Sequence, residues 1–168
     1  MDKASKIKRA LLEALGVNPN LAITAEVVSI QNNTCTVRLV SDLVLTDVRL
    51  CATVNEGQDS FVIVPKIGSE VVLMSQTGTL SGLMVIKVDA VESVLYKNGA
   101  FEFKVDGTTQ KVTLKNASAN FGALIENLID TVSNSVIDTP NGPGAINAVT
   151  KTALNQIKTQ FNSILNTV

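Results

Sequence analysis

The sequence predicts a mainly β chain with helical ends. It reads as a small five-stranded β-barrel, a short amphipathic β-hairpin stalk, a C-terminal αα-hairpin and a short N-terminal helix. Three observations predict this. Turn residues punctuate β-branched runs at intervals of about 8–12 residues between positions 21 and 94. Apolar and polar residues then alternate very regularly within 95–116, on either side of two turns. From Ala119 onward the apolar residues recur at helical spacing. The predicted segments are 1–20, 21–94, 95–116 and 117–168.

Residues 3–15 read as an amphipathic helix, with Ala4, Ile7, Leu11 and Ala14 at spacings of three and four and Leu15 alongside. Gly16 is placed to cap it and Pro19 to end it. A helix this short is marginal alone. Ile7, Leu11 and Leu15 therefore pack either on the chain's own barrel or on a neighbouring subunit, and the sequence leaves both open.

Between 21 and 94 the strands are predicted at 21–31, 35–40, 44–52, 61–64, 70–75 and 82–88, the one at 61–64 being short. Asn32-Asn33, Ser41-Asp42 and Thr77-Gly78-Thr79 supply turns. About seventy residues with five main strands match the size of an OB-type barrel. Asn98-Gly99 is a hairpin signal. After it Phe101, Phe103 and Val105 face one way, and Glu102, Lys104 and Asp106 the other, with Val112 and Leu114 continuing the apolar face beyond a turn at Asp106-Gly107-Thr108. A two- or three-stranded piece must bury such a face. The barrel, the later helices or identical copies of the chain could cover it.

Phe121, Leu124, Ile125, Leu128, Ile129, Val132 and Val136 form one helical stripe, and Ile146, Val149, Ala153, Ile157, Phe161, Ile164 and Val168 another. The run Thr139-Pro140-Asn141-Gly142-Pro143-Gly144 breaks the helix between them. A short loop between two amphipathic helices implies an antiparallel pair.

Composition narrows the function. Of 168 residues 45% are hydrophobic and 17% charged, enough for a core and too apolar for global disorder. Aromatics are 4%, so the core is predicted to be Val, Leu, Ile and Ala. The net charge of −1 gives no field to draw in nucleic acid. The barrel region offers Phe61 alone for base stacking. With no histidine, Ser-His-Asp and Cys-His catalysis and His-ligated metals are removed, while carboxylate-only chemistry stays open. The acidic residues are dispersed, and Gly78-Thr-Leu-Ser-Gly82 lacks the Gly-Lys-Ser/Thr of a phosphate loop. No catalytic residue, cofactor or metal ligand is assigned. Cys35 and Cys51 sit in strand-like runs and are expected as buried free thiols, with a disulfide between them left open by the sequence. There is no secretory signal pattern and no apolar run of membrane-spanning length. The protein is expected to be made in the cytoplasm and to leave it only within a larger assembly.

Pro65, Gly68, Ser69 and Val71, followed by an apolar strand opened by Gly82, resemble the OB domain of phage baseplate central-spike proteins. That group is also similar to the hub–spike proteins of contractile injection and type VI secretion systems. The run FKVDGTTQKVTLKN at 103–116 is similar to the spike segment that follows such a domain, and the helix–loop–helix at 124–165 to the ends of several spikes. The resemblance covers residues 21–168. It implies a virion structural protein of the tail baseplate, a homotrimer on the tail axis. Its interface would draw on Phe101, Phe103, Val105, Val112, Leu114, Phe121, Ile125, Leu128, Ile157, Phe161 and Ile164. The partners implied are tail hub and baseplate proteins and the target-cell envelope, with a mechanical role in cell puncturing. The family's tip iron site needs histidines, which this chain lacks, and there is no room for its lysozyme domain. The competing readings are an OB-fold binding module for single-stranded nucleic acid or carbohydrate, and a small hydrolase.

Overall fold

A computed structural model of the chain describes residues 3–14, 22–52, 59–76 and 78–168. The elements are α1 (Lys3–Ala14), β1 (Ile23–Gln31), β2 (Thr34–Leu39), β3 (Val44–Arg49), β4 (Ser60–Pro65), β5 (Glu70–Ser75) and β6 (Leu83–Val88). They continue with β7 (Val91–Asn98), β8 (Phe101–Asp106), β9 (Lys111–Lys115), α2 (Phe121–Ser133), β10 (Val136–Thr139), β11 (Gly142–Ala145) and α3 (Ala148–Ile164). The chain divides into two compact units: Met1–Glu56 with Val62–Val91, and Gly57–Phe61 with Glu92–Val168.

The first unit holds a closed five-stranded barrel in the order β1-β2-β3-β6-β5. Every ladder is antiparallel except β3 with β6, which run parallel through Arg49 and Met84. Alternation decides which side chains point inward. Ala25, Val27, Cys35, Val37, Val48, Val71, Leu73 and Leu83 fill the interior, small to medium side chains with no aromatic among them, suited to a narrow barrel. Register shifts leave an extra residue in β1 between Val27 and Ser29 and in β3 between Leu45 and Val48, and bend these strands. Asp47 absorbs part of that bend with φ of 59°, a left-handed conformation that Asp tolerates better than a β-branched residue.

The turn within Pro65–Val71 is tied to β1 by backbone hydrogen bonds. Gly68 takes φ of 79°, which its missing Cβ permits. Its N–H then donates to the Val27 carbonyl at 2.7 Å, while the Ser69 carbonyl accepts from the Val27 N–H at 2.9 Å. The Ser69 hydroxyl closes the turn on the Lys66 carbonyl at 2.6 Å. The turn thereby satisfies the backbone groups of Val27, beside the bulge in β1.

The short strand expected at 61–64 forms as β4, but in a different sheet. That sheet has four strands in the order β4-β7-β8-β9, rather than the free hairpin expected. The barrel ring is closed by five pairings and has no vacant edge for β4. In the second unit β7 and β8 meet across Gly99 and Ala100, with Asn98 opposite Phe101. Gly99 has φ of 55°, and its N–H donates to the Asp59 carboxylate at 2.7 Å. The turn after β8 is held by the Asp106 carboxylate, which accepts from the Thr108 and Thr109 N–H groups at 3.0 and 3.1 Å.

Asn120 caps α2 by accepting from the Ala123 N–H, and Asn147 caps α3 by accepting from the Thr150 N–H. The helices are antiparallel, since Glu126 meets Asn162 and Asp130 meets Lys158. Their connection differs from the expected loop. α2 ends at Ser133, so Val136 lies outside it, and 136–145 fold back as the two-stranded ribbon β10-β11. The β-branched Val136 and Ile137 favour an extended chain, and Pro140 drives the preceding Thr139 the same way. α3 gives way at Leu165 to extended chain that bridges Val112 on β9.

Candidate interaction surface

The polarity of the second unit runs opposite to that of a self-sufficient domain. Along β8 the exposed residues are Phe101, Phe103 and Val105, and the half-buried ones Glu102, Lys104 and Asp106. Register explains how this face is built. Tyr96, Phe103 and Leu114 are cross-strand neighbours, as are Val94, Val105 and Val112. Directly paired residues share a face, so seven apolar side chains, counting Phe101, occupy one side of β7-β8-β9. Tyr96 and Phe101 meet edge to face at 6.1 Å.

The opposite side is the one the chain covers. Thr113, paired with Lys104, is buried and its hydroxyl accepts from the Asn166 amide at 3.3 Å. On that face Lys97 pairs with Glu102 at 3.6 Å and Lys104 with Asp106 at 2.7 Å. The Lys104 ammonium and the two turn N–H groups hold the Asp106 carboxyl down at about 2.

The helices repeat the arrangement. Lys158 sits between Asp130 at 2.8 Å and Glu126 at 3.6 Å, which raises its pKa, and Asn162 donates to Glu126 at 2.7 Å. This polar seam joins α2 to α3. At 100° per residue, Phe121, Leu124, Leu128 and Val132 fall on the side of α2 away from the seam, and all four are exposed. Ile157, Phe161 and Ile164 form the exposed stripe of α3. Ile129, 7% exposed, is the one hydrophobic side chain in the second unit, among the described residues, that reaches full burial.

Of the residues singled out from sequence, Phe101, Phe103, Val105, Phe121, Leu128, Ile157, Phe161 and Ile164 are exposed, and Val112, Leu114 and Ile125 are half-buried. Ile7 and Leu11 on α1 are exposed, and Leu15 lies outside the described residues. Tyr96 and Ile137 belong to the exposed apolar set but were missed. Counting back from the Asn98-Gly99 turn would have found Tyr96 opposite Phe103.

The barrel wall carries two shallow clefts of about 200 and 270 Å³ that share Thr24 and Glu70. Lys87 and Asp89 line one, Arg38 and Asp42 the other, so both mix charge signs and neither offers an aromatic platform. Cys35 and Cys51 are free thiols. Burial in the barrel pushes Cys35 up to about 11 and raises Cys51 less strongly. Among the described residues no cluster of His, Cys, Asp or Glu is gathered as for a metal ion, and no helix is long and apolar enough to cross a membrane. No family model, curated protein or solved structure matches the chain.

Proposed function

We propose that this chain is a non-enzymatic structural protein that works as a homotrimer, of the central-spike or hub-plug kind found in phage tail baseplates. One observation carries the trimer: on β8, α2 and α3 the apolar side chains Phe101, Phe103, Val105, Phe121, Leu124, Leu128, Ile157, Phe161 and Ile164 are exposed, while the chain's own contacts go through polar and charged groups. Eleven large apolar side chains on the sheet face and the two helices, from Phe103 at 38% to Leu128 at 59% exposed, leave on the order of 1,000 Å² of apolar surface per chain. A stable interface takes about 800 Å² from each partner.

Identical copies are the occupants that fit best. On the sheet face of Val94, Tyr96, Phe101, Phe103, Val105, Val112 and Leu114 the one charged residue that alternation places among the described strand positions is Glu92, at the start of β7, so most of the face can approach a copy without like-charge repulsion. The barrel supports the same assignment as an OB-type fold. Three meandering strands close through a parallel pairing of the third with the last, in a five-stranded ring. Such a barrel hosts many functions, so the baseplate role rests on the resemblance of Pro65–Val71, the stalk and the helical end. In that role the trimer caps the tail tube and transmits force mechanically. Among the described residues, neither of the two clefts on the barrel wall is the aromatic, basic groove that the competing binding-module reading needs.

Size-exclusion chromatography with light scattering tests the proposal. The expected result is one species of three times 17.8 kDa. A monomer at micromolar concentration overturns it.

A further inference from the structure

We infer that Asn141 is a site of spontaneous covalent modification, where the chain converts asparagine to aspartate and isoaspartate without an enzyme. The inference is independent of the proposed trimer. Asparagine followed by glycine suits this chemistry, because the next backbone nitrogen is the nucleophile and glycine puts no Cβ in its way. The Gly142 nitrogen bonds to the Asn141 Cγ, and the Cγ–Nδ2 bond breaks. Ammonia leaves with the proton of the Gly142 N–H, and a cyclic imide remains. Water opens that ring at either carbonyl, to aspartate or to isoaspartate. The net change is one water taken up and one ammonia lost.

Two Asn-Gly pairs occur in the sequence, at 98–99 and 141–142, and all four residues are exposed. Exposure therefore does not separate them, and backbone freedom does. Ring closure needs the asparagine's backbone to turn until its side chain meets the next nitrogen. Asn98 is itself a ladder residue, the last of β7, paired with Phe101 in a four-stranded sheet. The Gly99 N–H donates to the Asp59 carboxylate at 2.7 Å, a charge-assisted bond that fixes the Asn98–Gly99 peptide plane. Asn141 lies between β10 and β11, outside both strands. Its ribbon has two strands of four residues, marginal in water, and Pro143 withholds a donor from it. The side-chain bond across this turn, from the Thr139 hydroxyl to the Gly142 carbonyl at 2.6 Å, is neutral and does not engage the attacking nitrogen. Local opening therefore costs less at 141 than at 98. Asp138 is the single charged residue from 131 to 150, so conversion adds a second negative charge to that stretch.

The test ages the full chain in mildly alkaline buffer, natively and in urea, and maps its peptides by mass spectrometry, with enzymatic methylation to detect isoaspartate. In the native chain Asn141 is expected to convert at least about tenfold faster than Asn98, and in urea the two rates should converge. Native conversion at Asn98 as fast as at Asn141 overturns the inference, as does an Asn141 that converts in urea and not in the native chain. A preference for Asn141 that persists undiminished in urea belongs to local sequence and overturns the structural argument. Asn141→Gln should remove the native isoaspartate signal, and a signal that survives overturns the assignment. Asp59→Ala should speed conversion at Asn98 alone, with circular dichroism confirming the fold. An unchanged Asn98 rate in that variant overturns the protective role of the Asp59 bond.

Discussion

Phe103→Asp separates the two units most cleanly. Phe103 lies mid-strand on β8 between Tyr96 and Leu114 and is 38% exposed in the single chain. In that chain a carboxylate at 103 reaches water, so the substitution forfeits part of one ring's packing and the barrel is untouched. In the proposed trimer the same carboxylate enters an apolar interface with no cation. An unpaired buried charge costs about 3–5 kcal/mol, so three copies lose on the order of 10 kcal/mol per trimer. At about 1.4 kcal/mol per factor of ten, the association constant falls by roughly seven orders of magnitude. Light scattering at micromolar protein should then show monomer at neutral pH, with the barrel's strand signal retained by circular dichroism. Acid should partly restore association. Burial in the trimer raises the introduced carboxyl's pKa above its value in the monomer, so trimer is favoured once pH falls below that raised value. Val40→Asp, at a 91% exposed position on the barrel, is the control and should change nothing. A Phe103→Asp protein that remains a full-strength trimer at pH 7 refutes the assignment of this face.

Gly122→Ala should destabilise the second unit by about 2 kcal/mol, because a Cβ there would stand 2.5 Å from the Asn166 carbonyl oxygen; thermal melting reads it. Asp106 contributes stability that is present above its unfolded pKa near 3.8 and is lost as pH falls through about 2. Asp106→Asn should therefore flatten the acid side of the stability–pH curve between those values, and an unchanged curve would count against the Lys104 pairing. Thiol labelling of the native protein at pH 8 should modify Cys51 well before Cys35, which should label only as the barrel opens; equal rates would contradict the buried position of Cys35. Finally, the second unit should melt at a temperature that rises with protein concentration while the barrel's transition does not, as scanning calorimetry over a hundredfold concentration range would show.

Local pattern carried the strands and helices, and non-local pairing set its limit. The alternation of Cys35, Val37 and Leu39 already tells which side chains enter a barrel, and burial of Cys35 follows from it. The Asn98-Gly99 turn fixes the register of β7 with β8 by counting alone. The sheet that receives β4 was not legible, because a short strand has the same pattern whichever edge it joins. The ribbon was hidden for a different reason. Val136 falls in phase with the α2 stripe, and Pro140 with three nearby glycines and prolines reads as a loop, so the helical period and the turn chemistry together masked four extended residues. Among the candidate surface residues, sequence could name the apolar faces of β8, α2 and α3. It could not choose between a cover made by the chain and one made by copies, because an amphipathic pattern is the same in both cases.

That choice turns on which face the chain covers for itself. Had α2 and α3 packed on Phe103 and Val105, the second unit would hold an ordinary core and its charges would meet water. Instead Asn166 engages Thr113 on the charged side of the sheet, and the helices join through Lys158, Glu126 and Asp130. Exposed ion pairs of this kind contribute about 0–1 kcal/mol each, too little to order a unit of this size against its conformational entropy. The barrel needs no such help, with eight apolar side chains in a closed ring of strands. In the trimer proposed above, association would supply the rest of the second unit's stability. A structural role follows more naturally than a binding pocket on the barrel, since the surface that most needs a partner lies entirely outside that barrel.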